Sequence, residues 1–212
     1  MKRQPAPDRV VRRLSLYLRQ LEHLAERGID KVSSSQLAGS LQVSAAQVRK
    51  DLAHFGQFGR PGVGYRVRPL IDELRRILGT DKTWNVIVVG AGNLGSALLQ
   101  YKGFLKRGFR FVAAFDVARG KIGRHIGNVR VRHMGELARI VRRHRVKLAI
   151  LAVPADAAQR VAERLCKAGI KGILNFAPAT LAAPPDVAVG PIDLAASLEQ
   201  MSFAVASGTS TR

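Results

Sequence analysis

The chain has 212 residues, 35 Lys and Arg against 15 Asp and Glu, and one cysteine. That length holds one large domain or two small ones with a proper core, while the single Cys166 excludes an intramolecular disulfide and a multi-cysteine metal site. No apolar run reaches membrane-spanning length and the opening MKRQPAPDRV has no hydrophobic leader segment, so the expectation is a cytoplasmic protein without a membrane partner.

The net charge of +20 suggests a polyanionic partner, but it divides into +8 over residues 1–78 and +12 over residues 79–212. Charge alone therefore singles out no nucleic-acid-binding end, and the identification rests on pattern. Over residues 9–27, Val10, Leu14, Leu18, Leu21 and Leu24 form a helical stripe, with Arg12, Arg13, Arg19 and Glu22 elsewhere around the wheel and Gly28 as the stop. Ser33 with Gln36, and Ser44 with Gln47, each match a capping box, opening helices over 34–41 and 45–55. Only Gln42 and Val43 separate the first helix from the second cap, which is helix-turn-helix spacing.

Val48, Leu52 and Phe55 share one face of the second helix, leaving Ala46, Gln47, Arg49, Lys50 and His54 on the other. Gln47 suits adenine and Arg49 or Lys50 suits guanine in a major groove, while Ser44 and the helix N-terminus suit a phosphate. The alternative for this face is a solvated side of a structural helical bundle. The stretch GQFGRPGVGYRVRPL then reads as a turn into a short strand in which Tyr65 and Val67 alternate with Arg66 and Arg68. A basic turn after a recognition helix is what a wing would be, with Arg60 at its tip for a minor groove and Gly62 and Tyr65 beside it. Residues 70–78 predict a connecting helix and GTDKTW a linker.

Val86 to Val89 is a β-branched run of the kind buried in a parallel sheet, and Gly90, Gly92 and Gly95 follow in G-x-G-x-x-G spacing. Gly90 allows the tight turn, Gly92 lets backbone N–H groups approach a pyrophosphate, and Gly95 lets the next helix pack on the strand. Ala91, Asn93 and Leu94 complete the turn. A second strand over 111–115 ends in Asp116, twenty-one residues after Gly95, placed to accept from ribose hydroxyls and to favour NAD(H) over a 2′-phosphate, with Arg119 and Lys121 nearby. The alternative is a glycine-rich turn that holds no nucleotide.

Beyond Asp116 comes an Arg- and Gly-rich excursion with a small strand over 129–131. A helix over 135–144, a strand over 147–154, a helix over 155–169 and a strand over 169–176 follow. This alternation implies a doubly wound parallel sheet, so Val153, Pro154, Asn175, Phe176, Ala177 and Pro178 should line the crevice at the carboxyl ends of the strands. Cys166 sits in the third of these segments as a small core residue. Asp193 caps a last amphipathic helix to Phe203, with Leu194, Leu198 and Met201 on one stripe, packing either on its own domain or on a second subunit. No Ser/His/Asp or Glu/His grouping follows the strands, His125, His133 and His144 lying in arginine-rich stretches instead. Tyr101 and Lys102 follow the glycine helix within reach of the pocket.

The segments SAAQVRKDLAHFGQFGRPGVGY (44–65), VVGAGNLGSAL (88–98), FVAAFDV (111–117), LAILAVP (148–154), AGIKGILNFAP (168–178) and DLAASLEQMSFAV (193–205) together resemble the redox-sensing repressors of the Rex family over nearly the whole chain. The resemblance implies a winged helix-turn-helix domain (1–80), a Rossmann NAD(H)-binding domain (81–192), a domain-swapped dimerisation helix (193–205) and a disordered tail (206–212). It implies a homodimer that reads an inverted-repeat operator in double-stranded DNA, released by NADH and compatible with NAD, with no metal. It also implies a contact set of Arg19, Tyr101 and Asp193 that switches the dimer, Tyr101 and Asp193 lying near the nicotinamide. The competing classes are an NAD-dependent dehydrogenase with a regulatory winged helix, and a DNA-binding protein that senses another nucleotide such as a coenzyme A derivative.

Overall fold

The computed structural model describes residues 7–39, 41–60 and 62–208, apart from the side chain of Arg60. The chain divides into a unit ending at Lys82 and a unit beginning at Thr83.

The first unit runs α1 (Asp8–Glu26), β1 (Lys31–Val32), α2 (Ser34–Gly39), α3 (Ala45–Ala53), β2 (Gly59–Arg60), β3 (Gly64–Arg66) and α4 (Val67–Leu78). Its three strands form an antiparallel sheet in the order β1-β3-β2, which is the wing. Leu14, Leu21, Leu37, Leu52, Leu70 and Leu74 meet in one core, so the helical stripes read from the sequence do face inward. At α2 the capping box closes in both directions, Gln36 N–H to Ser33 Oγ at 3.1 Å and Ser33 N–H to Gln36 Oε1 at 2.8 Å. At α3 it closes in one only: Gln47 N–H reaches Ser44 Oγ at 3.0 Å, but the Gln47 amide donates to Asp51 Oδ1 at 2.7 Å instead of back to the cap.

One expectation is corrected here, and one contact is added. The strand expected over 65–68 stops at Arg66, because Val67 turns into the core and opens α4, where Pro69 in the first turn lacks only an N–H that has no helical partner. Arg13, off the apolar stripe of α1, grips the buried carboxylate of Asp51 through Nε at 2.5 Å and Nη2 at 2.7 Å.

The second unit contains β4 (Trp84–Val89), α5 (Asn93–Gln100), α6 (Gly103–Lys106), β5 (Phe109–Asp116), β6 (His125–Ile126), β7 (Val129–His133) and α7 (Leu137–Arg143). It continues with β8 (Leu148–Leu151), α8 (Ala155–Ala168), β9 (Gly172–Asn175), β10 (Ala188–Pro191) and α9 (Leu194–Ala206). The sheet order is β10-β9-β8-β4-β5-β7-β6, parallel throughout except for the β6–β7 edge. Chain order reverses on either side of β4, so its carboxyl end opens the crevice where a doubly wound sheet takes a ligand. Alternation along β4 sends Ile87 and Val89 to the face covered by α7 and α8, and Val86 and Val88 to the other.

On that second face an apolar groove of about 350 Å³, lined by Val86, Phe104, Phe111, Ile150 and Leu174 among others, stays open. α9 buries none of its residues, and Leu194, Leu198, Met201, Phe203 and Val205 are all exposed. Residues 209–212 of the tail lie outside the described residues. Among the described residues, no helix is long and apolar enough to cross a membrane.

Candidate functional site

The glycine turn is built by close approaches that only glycine allows at two of its three positions. Gly90 sits at φ +99°, and a Cβ there would fall 2.0 Å from the Ala152 carbonyl oxygen and 3.2 Å from Val153 Cγ1, so the ends of β4 and β8 close on each other. A Cβ at Gly95 would fall 1.9 Å from the Gly90 carbonyl oxygen, which is how closely α5 lies on the turn. Gly92 is different: its φ is −80°, and nothing lies within 4 Å of where its Cβ would stand. Neither packing nor backbone strain requires glycine there, and the space it leaves opens beside the start of α5. No side chain caps that helix, and Asn93 and Leu94 are exposed, so the first-turn N–H groups face open space with the positive end of the helix dipole behind them.

Asp116 ends β5 against this turn. Its Oδ2 accepts from Ala91 N–H at 2.9 Å and from Lys121 Nζ at 3.2 Å, and its Oδ1 accepts from Ala118 N–H at 2.9 Å. Burial pushes the carboxyl up, but the bonds from Ala118, Lys121 and Ala91 outweigh it and hold Asp116 below the ordinary carboxylate range. The ionised group thus clamps the glycine turn and keeps acceptor capacity toward the crevice. Lys121, with its side chain 44% exposed, is a partner that exchanges at little cost. The Ala91 N–H, by contrast, is committed to Asp116 and is not free for a phosphate.

Leu94, Asn175, Ala177, Pro178 and Asp193 line one cleft of about 660 Å³, to which the chain adds Thr180, Leu181 and Ile192. The last three lie in a stretch whose sequence carries no periodic signal. The Asn175 side chain turns back into its own loop, donating to the Ala179 carbonyl at 2.8 Å and accepting from Ala177 N–H at 3.0 Å. It therefore shapes the wall of the cleft and offers the ligand no free amide. Val153 lies against Gly90, and Pro154 is exposed as the cap of α8. Asp193 spends one carboxylate oxygen on Ala196 N–H at 2.8 Å, starting α9. Tyr101 is exposed and stacks edge-on against Phe104 at 5.4 Å. No hydrogen bond joins Tyr101 to Asp193 among the described residues, and Arg19 is exposed on α1 of the other unit.

In the first unit, Ser44, Ala46, Arg49, Lys50 and His54 are exposed along α3. Arg49 Nη1 donates to Ser34 Oγ at 2.9 Å, bracing α3 on α2. Gln47 is half-buried and tied to Asp51, which restricts the free two-armed amide expected for adenine. Tyr65 is also half-buried, its ring lying over Gly59 in the wing hairpin, so packing claims most of it. Gly62 is exposed at φ +77° in the wing turn, and the Arg60 side chain expected at the tip lies outside the described residues.

Sequence reasoning missed Asp51, which is 2% exposed and takes Arg13, Tyr17 Oη at 2.7 Å and Gln47. Burial pushes its carboxyl up, but these three donors hold it below the ordinary range, while burial and donation to Asp51 push the Tyr17 hydroxyl well up. The i, i+4 spacing of Arg13 with Tyr17, and of Gln47 with Asp51, was the available signal. Cys166 is partly buried on α8 and burial pushes its thiol up, so it is no activated nucleophile. Among the described residues, no group of three or more His, Cys, Asp or Glu is placed to hold a metal.

Comparison with known proteins places this arrangement. A family profile described as a CoA binding domain matches residues 81–179, and one described as a putative DNA-binding protein N-terminus matches residues 6–53. The redox-sensing transcriptional repressor Rex of Carboxydothermus hydrogenoformans is 51% identical over 93% of this chain and 95% of its own. The repressor of the same name from Desulforamulus reducens is 48% identical over 97% and 98%. Among solved structures, RSP in complex with β-NAD+ and operator DNA superposes with a TM-score of 0.92 at 39% identity, covering 97% of this chain and 95% of that one. RSP in complex with β-NADH gives 0.87 at 37% identity, covering 97% of each.

Proposed function

We propose that this chain, which belongs to the Rex family of redox-sensing transcriptional repressors, is a cytoplasmic homodimer that holds an inverted-repeat operator through α3 and the wing and lets it go when NADH occupies the second unit. The observation that carries the reading is the coexistence, in one chain, of an unstrained Gly92 opening beside an uncapped α5 and a capped helix-turn-helix with an exposed cationic face. The relatives are named as repressors over nearly their whole length, which disfavours the dehydrogenase reading.

In this reading the first turn of α5 receives the pyrophosphate, Asp116 takes the adenine ribose hydroxyls, and Gly90, Gly92 and Gly95 set the depth of the turn. Val153, Pro154, Ala177 and Pro178 wall the crevice toward the nicotinamide. α9 swaps between subunits, covering apolar surface that a single chain leaves bare on α9 itself and on the open face of the sheet. The swap brings Asp193 of one copy toward Tyr101 of the other, where the charge and pucker of the nicotinamide are felt, and Arg19 is the third member of the switch set in this reading. NAD presents a cationic flat ring and NADH a neutral puckered one, so only the groups beside that ring have a differential affinity to offer. Moving the dimer from almost all open to almost all closed needs a preference of about 10⁴-fold for the closed form. On α3, Arg49, Lys50 and the Ser44 end meet bases and phosphates, with Ala46, His54 and the Arg60–Gly62 wing turn alongside.

The test is release of a fluorescent inverted-repeat duplex, followed with NADH, NAD and NADPH in turn. NADH is expected to release DNA at a far lower concentration than the other two. Equal potency of NADH and NAD would refute redox sensing, and steady hydride transfer to alcohols or hydroxy acids would favour the enzyme instead.

A further inference from the structure

A second dense stretch of positive charge lies outside the helix-turn-helix unit. Residues 102–147 carry 14 Lys and Arg and two acidic residues, Asp116 and Glu136. Both acids are already paired, Asp116 with Lys121, and Glu136 with Arg132 and Arg139. What is left over gathers at one place. In a parallel sheet every strand starts at the same rim and every crossover helix ends there, opposite the crevice. Hydrogen bonds mark out that rim: Trp84 N–H bonds the Gly108 carbonyl at 2.7 Å, Arg110 bonds Asn85 Oδ1 at 2.9 Å, Asn85 Nδ2 bonds the His144 carbonyl at 2.7 Å, and Gly172 N–H bonds the Lys147 carbonyl at 3.0 Å. Arg107, Arg110, Arg143, Arg145 and Lys147 are all exposed along it, with Arg142 in the last turn of α7. None of these six has a carboxylate partner among the described residues.

Helix ends attract a cation or two, which accounts for Arg142 and Arg143 at the end of α7. It does not account for Arg110 on β5, or for Arg145 and Lys147 in the approach to β8. Like charges gathered along one rim repel one another and weaken the compact state unless an anion with many charges neutralises them. A duplex presents one phosphate charge about every 1.7 Å of its axis, and the protein is already read as a DNA-binding repressor. We infer that the amino-terminal rim of the nucleotide-binding unit is a second, sequence-independent DNA contact, engaging the phosphate backbone outside the operator half-sites. This contact rests on the operator-binding reading, and it assigns no base contacts to the rim.

The test uses the full chain and its variant Arg107→Gln/Arg142→Gln/Arg143→Gln/Arg145→Gln, none of these residues being part of the cleft lining or of α3. Binding is measured on a duplex holding only the operator and on one extended by long flanks of unrelated sequence, across a salt series. NADH binding and thermal melting of the variant serve as the check that it folds. The parent is expected to bind the long duplex at least tenfold more tightly than the short one at low salt. The variant is expected to lose that advantage, keep its short-operator affinity within twofold, and show a salt slope on the long duplex reduced by about 0.9 for each phosphate contact removed. A parent that binds the operator with no gain from the flanks, or a variant that keeps the gain, overturns the inference. A parent that binds no operator of either length refutes the repressor reading itself, and so separates the two failures.

Discussion

Asp51 is the buried charge on which the winged unit closes. Its carboxylate joins α3 to α1 through Arg13 and Tyr17 and takes Gln47 of its own helix as well, so the seating of α3 depends on a buried group. Asp51→Asn keeps the shape and removes the charge. The expected cost is about 3 kcal/mol in urea unfolding, at the low end for a broken buried pair because the Arg13 side chain keeps 23% of its exposure and a route to water. The sign of the pH effect follows from the direction of the shift: Asp51 sits lower in the folded chain than in the unfolded one, so its contribution is complete above the ordinary carboxylate range and fades as pH falls through the folded value. The gap in unfolding free energy between parent and variant should therefore narrow in acid and be full near neutral pH. The glycine turn offers a second contrast. Gly92→Ala, with open space and an ordinary φ, should melt within a few degrees of the parent yet bind NADH at least tenfold more weakly, because the methyl stands where phosphate oxygens come. Gly95→Ala should lose stability and NADH binding together, since its Cβ would strike the Gly90 carbonyl oxygen.

Among the elements, α9 carries the plainest consequence. A helix exposing Leu194, Leu198, Met201, Phe203 and Val205 leaves side chains in water that each contribute about 1.5–3 kcal/mol when fully buried. If the proposed dimer is built on α9, Leu198→Glu should shift the protein toward monomer in sedimentation velocity, and a variant that sediments as the parent does would remove α9 from the interface. The long helices and the central parallel strands were legible in the sequence because their stripes are long and their stops are chemically marked, as Gly79 and Gly169 mark the ends of α4 and α8 at φ +72° and +100°. What was not legible was short or tertiary. β10 spans four residues, Ala188–Pro191, too few for alternation to show, and exists only by pairing with β9. β3 could not be told from the start of α4 because Val67 and Arg68 fit either period until the core takes Val67. Of the site, the glycine turn and Asp116 stood out because their spacing is itself the chemistry. Asn175 lines the cleft as expected, but its internal hydrogen bonds, like the bond from Gln47 to Asp51, were not legible because a partner four residues away or fewer leaves no mark on the spacing.

At the scale of the whole molecule, the proposal is that one nucleotide sets the separation of two recognition helices in a dimer. Two half-sites on one side of a duplex demand helices about one helical turn apart, or a multiple of it, and a dimer that closes beyond that spacing lets go. Rigidity within each unit, from the Asp51 network in one and the close-packed glycine turn in the other, is what turns occupancy of a crevice into a displacement elsewhere. The decisive measurement is a pulsed-dipolar distance between spin labels at Ala53→Cys on the end of α3 in the dimer, in a Cys166→Ala background, with saturating NADH and with saturating NAD. The distance is expected to differ between the two, with the NADH value incompatible with adjacent major grooves. Identical distance distributions with both nucleotides bound would contradict it.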